Sequence, residues 1–198
     1  MRTTSIFILL LLQFCLNVYS QRKVCDFHIL RNGNKVGTIR FAQTSVGTID
    51  TLEMESNVNA KLVSTFIAHG KEAAIFENGI LLKSSIFREL NGKEKANKKH
   101  EANNSQYIIT RGKNSKVLKD YPISYNMLSL YAKEPEQIDK VYSDNFESFV
   151  TIQKMSDHKY KVLLPDGNYN YYTYKDGELK QVEIHHSLYS AAIVRATE

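Results

Sequence analysis

Tryptophan is absent and cysteine and proline are scarce: the 198 residues include no Trp, 2 Cys, 3 Pro and 9 Gly. Two cysteines cannot provide the disulfide framework of a stapled mini-protein. So little glycine and proline excludes a collagen-like chain. Neither sign of charge dominates, with 26 basic residues against 21 acidic ones and a formal net charge of +5. The basic residues are mixed with acids rather than gathered in a patch, which argues against nucleic acid as a partner. Beyond residue 20 no apolar run is long enough to cross a membrane as a helix. Against these shortages stand 12 Tyr and 9 Phe. Such aromatic content excludes a mostly disordered chain. The length fits one medium domain and is short for two.

The first twenty residues read as an address. Arg2 supplies a positive start, Ile6 to Leu12 is an unbroken apolar run, and Val18-Tyr19-Ser20 places Val and Ser at the −3 and −1 positions of a cleavage site. That is the layout of a secretory signal peptide. Phe14 before Cys15 is too large for a lipoprotein motif. The expectation is a signal peptide at 1–20 and a single all-β domain at 21–198, exported to the periplasm or the medium. Cys25 is then a lone thiol, expected to pack as a small hydrophobe near a strand start.

Turn signals divide the rest. Asn32-Gly33, Asn78-Gly79, Asn91-Gly92, Asp166-Gly167 and Asp176-Gly177 are dipeptides that favour type I′ hairpins, and Gly70 and Gly112 mark two more turns. Strands are expected at 24–31, 35–45, 49–57, 60–68, 72–77, 80–90, 93–101, 105–111, 115–119, 139–143, 149–155, 158–164, 169–175, 178–186 and 188–195. Many short strands with frequent turns predict a mainly β fold: a curved antiparallel meander or incomplete β-barrel.

One helix is expected at 123–133, with Ser124 as cap, Leu128, Tyr131 and Ala132 on one face, and Glu134-Pro135 as its end. Several strands alternate cleanly. Leu52 and Met54 oppose Glu53 and Glu55, and Val182 and Ile184 oppose Gln181, Glu183 and His185. Others are apolar or aromatic on both sides. Leu62, Ser64 and Phe66 oppose Val63, Thr65 and Ile67, and Tyr172 and Tyr174 oppose Tyr169 and Tyr171. Such strands need the helix, a second sheet or a ligand on their second face.

Together these patterns resemble a family. They are Arg31-Asn32-Gly33 with Lys35-Val36-Gly37-Thr38, Phe76-Glu77-Asn78-Gly79 with Leu81-Leu82 and Ser84-Ser85, and Pro122 leading to Leu130-Tyr131 and Glu134-Pro135. Later come Val141 to Phe146, His158-Lys159-Tyr160, Leu164 to Asn168, Tyr172, Tyr174, Val182-Glu183 and His186-Ser187-Leu188. The chain resembles an uncharacterised family of small exported all-β proteins from Bacteroidetes-type bacteria, a domain of unknown function. The resemblance implies an exported location and an all-β layout, and it brings no activity with it.

No strong chemical motif stands out. There is no HExxH, GxSxG, P-loop or dinucleotide fingerprint, and no cofactor is implied. Ser84-Ser85 lie mid-strand, and carboxylate pairs such as Glu53/Glu55 and Asp144/Glu147 are ordinary for an acid-bearing chain. Glu183 and His185 share a strand face and form the most tempting polar cluster. A metal there would need further ligands such as His28 or His158, whereas His186 points to the other face. Lys93, Lys95, Lys98 and Lys99 are read as a solvated hairpin, with anionic lipid as the alternative contact.

Three functions follow in order. The first is a non-enzymatic envelope protein that binds a lipophilic or amphipathic ligand, lined by Met127, Leu128, Tyr131, Tyr172 and Tyr174. The second is a structural or interaction module that docks another envelope protein through a sheet edge or the tyrosine strand. The third is a hydrolase or metal enzyme around Glu183 and His185.

Overall fold

The computed structural model describes residues 20–61, 65–119 and 121–196. The expected signal peptide, apart from Ser20, lies outside these residues, as do Leu62, Val63 and Ser64. In chain order the elements are β1 (Ser20–Arg31), β2 (Asn34–Val46), β3 (Ile49–Lys61), β4 (Thr65–Glu77), β5 (Ile80–Leu90), β6 (Lys93–Asn103), β7 (Gln106–Arg111) and β8 (Asn114–Leu118). A short helix α1 (Ser129–Ala132) follows. Then come β9 (Lys140–Ser143), β10 (Ser148–Ser156), β11 (Lys159–Leu163), β12 (Tyr169–Lys175), β13 (Glu178–His186) and β14 (Tyr189–Arg195).

All strands join one 14-stranded sheet in the order β8-β7-β6-β5-β4-β3-β2-β1-β14-β13-β12-β11-β10-β9. Every ladder in it is antiparallel. The meander runs outward from β1 to β8 and returns from β9 to β14, where the last strand pairs with the first. The edges β8 and β9 do not pair, so the barrel is not closed. Strand alternation gives the sheet two rims. Turns 32–33, 91–92, 112–113, 164–168 and 187–188 share an upper rim, and turns 47–48, 78–79, 157–158 and 176–177 share a lower one.

Local chemistry explains most of these turns. Asn32-Gly33, Asn78-Gly79, Asn91-Gly92 and Asp176-Gly177 all take positive φ at both residues, as a type I′ hairpin needs. Asp166-Gly167 departs from the expectation, since only Gly167 has positive φ. Pro165 instead occupies the second place of a turn closed by Gly167 N donating to Leu164 O at 3.1 Å. Gly70 makes no turn: it sits inside β4, opposite Ser56 and Arg88. A Cβ there would lie 2.6 Å from Ser56 Oγ, a hydroxyl that would have to turn away, and 3.8 Å from the nearest backbone atom, Phe87 O. The expected strands 60–68 and 72–77 are therefore redistributed, the first residues ending β3 and the rest merging into β4.

One face of the sheet carries the core. Cys25 and Phe27, Ile39 and Phe41, Leu52, Ala74 and Phe76, Val150 and Ile152, Tyr172 and Tyr174, and Val182 are buried and belong to one hydrophobic cluster. Glu53, Glu55 and their outward neighbours are exposed, as alternation requires. The inner face is filled by residues 121–139, between the two edge strands. Ile123, Tyr125, Leu128 and Leu130 of this segment are buried among the strands.

This segment is mostly not helical. Its Ile123 carbonyl accepts from Leu81 N at 2.8 Å, its Tyr125 carbonyl accepts from Tyr142 N at 2.9 Å, and Met127 N donates to Tyr142 O at 2.9 Å. Extended backbone at 123–127 satisfies strand neighbours instead of its own turns, so only Ser129–Ala132 close a helical turn. Ser124 is exposed, and the side chain that organises the entry is Asn126, whose Oδ1 accepts from Ser129 N at 3.1 Å and from Ser129 Oγ at 3.0 Å. The apolar spacing at 128, 131 and 132 reports contact with a surrounding sheet rather than a long helix face.

Candidate functional site

At the upper rim the inner segment leaves a cavity of about 410 Å³. Its floor and sides come from inward positions of distant strands. Met54 of β3, Glu72 of β4, Ile86 and Arg88 of β5, Tyr172 of β12 and Val182 and Ile184 of β13 all line it, with Met127, Leu128 and Tyr131 from the inner segment. Residues from turn 144–147, loop 164–168 and the His186–Tyr189 hairpin border its opening. The cavity has two characters. Met54, Ile86, Met127, Leu128 and Ile184 are apolar, whereas Glu72, Arg88, Asp144 and Asn170 are polar. Arg88 Nη2 donates to Glu72 Oε1 at 2.7 Å across two adjacent strands.

Four of the five residues singled out from sequence for ligand contact line this cavity: Met127, Leu128, Tyr131 and Tyr172. Tyr131 is wedged against Phe27, edge-on at 5.5 Å, and Phe41, stacked at 5.9 Å. Burial pushes the hydroxyls of Tyr131 and Tyr172 well above the usual phenol range. Tyr174 is outside the cavity lining. It is buried, and its hydroxyl donates to Leu130 O at 2.8 Å, so it anchors α1 to the sheet.

Glu183 and His185 lie on the face of β13 opposite Val182 and Ile184, and His185 also reaches the border of the cavity, whereas Glu183 does not. Lys159 Nζ sits 3.0 Å from Glu183 Oε1, and His185 Nε2 is 3.8 Å from Glu183 Oε2. The His185 ring stacks on Tyr169 with centroids 4.7 Å apart. Lys161 Nζ lies 4.2 Å from the centre of the same Tyr169 ring and Lys159 Nζ 4.8 Å from that of Tyr171, so the outward tyrosines meet imidazole and ammonium groups. His158 is paired with Glu134 at 3.1 Å. Among the described residues no group of three or more His, Cys, Asp or Glu side chains gathers to hold a metal.

The structure adds a polar cluster beside the cavity. Ser84 Oγ donates to Asp144 Oδ1, and Asn126 Nδ2 donates to Asp144 Oδ2 at 3.0 Å. His100 lies directly opposite Ser84 on the neighbouring strand, fully buried, with Nδ1 3.6 Å from Asp144 Oδ1. Neither of its ring nitrogens has a hydrogen-bond partner among the described residues. Burial raises the Asp144 carboxyl to about 6 against the hydrogen bonds from Ser84 and Asn126. Burial also lowers His100 to about 4, opposed by the Glu147 charge and aided by Lys98, Lys116 and Arg111.

Below it, Glu147 is buried. Burial would raise its carboxyl, but hydrogen bonds from Arg111, Lys116 and Lys98 outweigh that and hold it near 2. Lys98 Nζ and Lys116 Nζ approach it to 2.9 and 2.6 Å.

A nucleophilic site would have His100 between serine and carboxylate. Here Ser84 donates to the carboxylate directly, and the arrangement orders the turn at 143–147 instead. Sequence reasoning noted Ser84 and the Asp144/Glu147 pair without joining them. The available signal was a polar residue one alternation step from an apolar one, Ser84 two before Ile86 and His100 two before Ala102.

An incomplete, barrel-like antiparallel sheet wrapped on an internal segment, with a cavity at one rim, is the class of protein these features define. The chain belongs to the family described as a domain of unknown function, DUF6134, whose profile matches residues 27–196. Its fold is similar to that of a β-barrel-like protein of the DUF1849 domain of unknown function from Brucella abortus. The two share a TM-score of 0.59 and 7% sequence identity, over 92% of this chain and 98% of that one. At that identity the likeness concerns the fold alone. No curated protein matches the sequence.

Proposed function

We propose that this is a non-enzymatic binding protein of the cell envelope that holds a lipophilic or amphipathic small molecule in the upper-rim cavity. The observation that carries the reading is a cavity of about 410 Å³ whose lining combines apolar side chains with a few polar ones, Glu72 and Arg88 among Met54, Ile86, Met127 and Leu128. Small-molecule sites span roughly 300–1,000 Å³ and combine apolar lining with a few orienting polar groups. Met54, Ile86, Met127 and Leu128 would take the apolar part of a ligand, and Arg88 with Glu72 would orient its polar end. The signal-peptide pattern supports export.

Native mass spectrometry of protein purified gently from its own envelope tests this. One small molecule per chain is expected, lost in Ile184→Trp, which fills the cavity from a half-buried position. Chains that carry no ligand after gentle handling would overturn the reading. A second reading, an interaction module, draws on one observation: β8 is an edge strand with Val117 49% exposed, open to strand addition by an envelope protein.

A further inference from the structure

The cavity-bearing rim differs in surface chemistry from its opposite. Leu188, at the tip of the β13–β14 hairpin, is 83% exposed, and Tyr189 beside it is 44% exposed. The hairpin is braced. His186 stacks on Tyr189 with centroids 4.7 Å apart, and Leu188 N donates to His186 Nδ1 at 3.1 Å. On the same rim, Ile67 of β4 is 52% exposed where its backbone bonds to the turn at Asn91. Between and beside these tips stand exposed Lys35, Lys93, Lys95 and Lys113, against Glu94 and Asp166 as the exposed acids of the same turns. The lower rim also exposes apolar groups, Val46 and Met155 among them, but its turns set Lys154 and Lys175 against Glu77, Asp157 and Asp176, so cations do not predominate there.

From this asymmetry we infer that the upper rim docks on an anionic lipid surface, with the Leu188 hairpin inserted at the headgroup level and the lysines over the headgroups. Apolar tips ringed by cations suit such a surface. A protein groove would need a continuous apolar patch, and here the apolar groups are divided between the Leu188 hairpin and Ile67 of β4. The opening of the cavity would then face the bilayer, so an amphipathic ligand could pass between the two without crossing water. The docking stands on the rim chemistry. The transfer of ligand rests on the binding function proposed above.

Co-sedimentation of the purified protein with vesicles tests it. The protein is expected to pellet with phosphatidylglycerol vesicles and far less with pure phosphatidylcholine, and to be released by salt. Lys93→Gln with Lys95→Gln should weaken partitioning about fivefold per cation removed. Leu188→Asp should abolish it, whereas Val46→Asp on the lower rim should leave it unchanged. Equal binding to both vesicles, no binding to either, or sensitivity to Val46→Asp rather than Leu188→Asp would overturn the inference. Lipid extracted from protein separated from the vesicles separates the two ideas. Docking without carried lipid removes only ligand transfer, and carried lipid without docking removes only the surface.

Discussion

His100 and Asp144 are buried side by side and are perturbed in opposite directions. His100 falls from an ordinary 6.5 to about 4, and Asp144 rises from 3.8 to about 6. Between pH 6.5 and 4 the unfolded chain binds the histidine proton that the folded chain refuses, so His100 costs stability as pH falls through that window. Between pH 6 and 3.8 the folded chain holds the Asp144 proton that the unfolded chain releases, so Asp144 adds stability as pH falls. The two slopes oppose, and single variants should expose each. His100→Phe keeps the edge contact with Tyr142 and removes two unpartnered nitrogens. It should be neutral or stabilising by about 1 kcal/mol at pH 7, and its stability relative to the parent should rise as pH drops from 6.5 to 4. Asp144→Asn should lose relative stability over pH 6 to 4. Melting temperatures across pH, compared as differences, read both effects. Parallel profiles for parent and His100→Phe would show that the imidazole does not titrate as its burial demands. Glu147 and Glu178, both held near 2, act below this range, where stability falls as pH drops from 4.5 toward 2.

Elements show what holds the inner segment in the sheet. Tyr107 Oη donates to Leu81 O at 2.9 Å and accepts from Ile123 N at 3.2 Å, so one hydroxyl bridges sheet and filling. Tyr107→Phe should strand both backbone groups and cost about 1–3 kcal/mol in urea unfolding; an unchanged midpoint would mean the bridge carries no weight. Gly37 is the matching case between strands. A Cβ there would lie 2.3 Å from Asn57 O and 3.0 Å from Val58 Cα, both backbone atoms. Gly37→Ala should therefore cost about 2 kcal/mol or more, because neither strand can retreat without breaking its ladder. Legibility in the sequence follows the same division. Hairpins such as Asn78-Gly79 are written in two adjacent residues, and alternation such as Leu52/Met54 against Glu53/Glu55 is written in four, so both could be read. The conformation of 123–127 depends on Leu81 and Tyr142, far away in the chain, so the spacing at 128, 131 and 132 marked the helical turn but not where it begins. The same holds for the site. Met127, Leu128, Tyr131 and Tyr172 stood out as apolar or aromatic residues wanting a second face. Glu72, Arg88 and the Ser84–Asp144–His100 cluster became visible only when separate strands were brought together.

For the whole molecule the consequential pairing is between its ends. β14 lies between β1 and β13, with Phe27 opposite Arg195 and Val182 opposite Ile193. The outgoing run β1–β8 and the returning run β9–β14 are thus joined in the sheet by the last strand and in the core by residues 121–139. A barrel built this way has no half that can keep its apolar face dry alone: Tyr131 of the filling packs on Phe27 and Phe41 of the outgoing run, and Tyr174 of the returning run donates to Leu130 O of the same filling. Stability should therefore appear as one cooperative transition, and the ladder spanning the full chain should make folding slow for this size. Ending the chain at His186 removes β14 and leaves β1 and β13 as open edges over an exposed core. That truncated chain should show no cooperative melting by circular dichroism or calorimetry, although it keeps every turn signal and most of the core residues. Two transitions in the intact protein, or a surviving sharp transition in the truncated one, would show that one run folds independently. The seam at β8 and β9 would then be a boundary between two units rather than the gap in a single barrel.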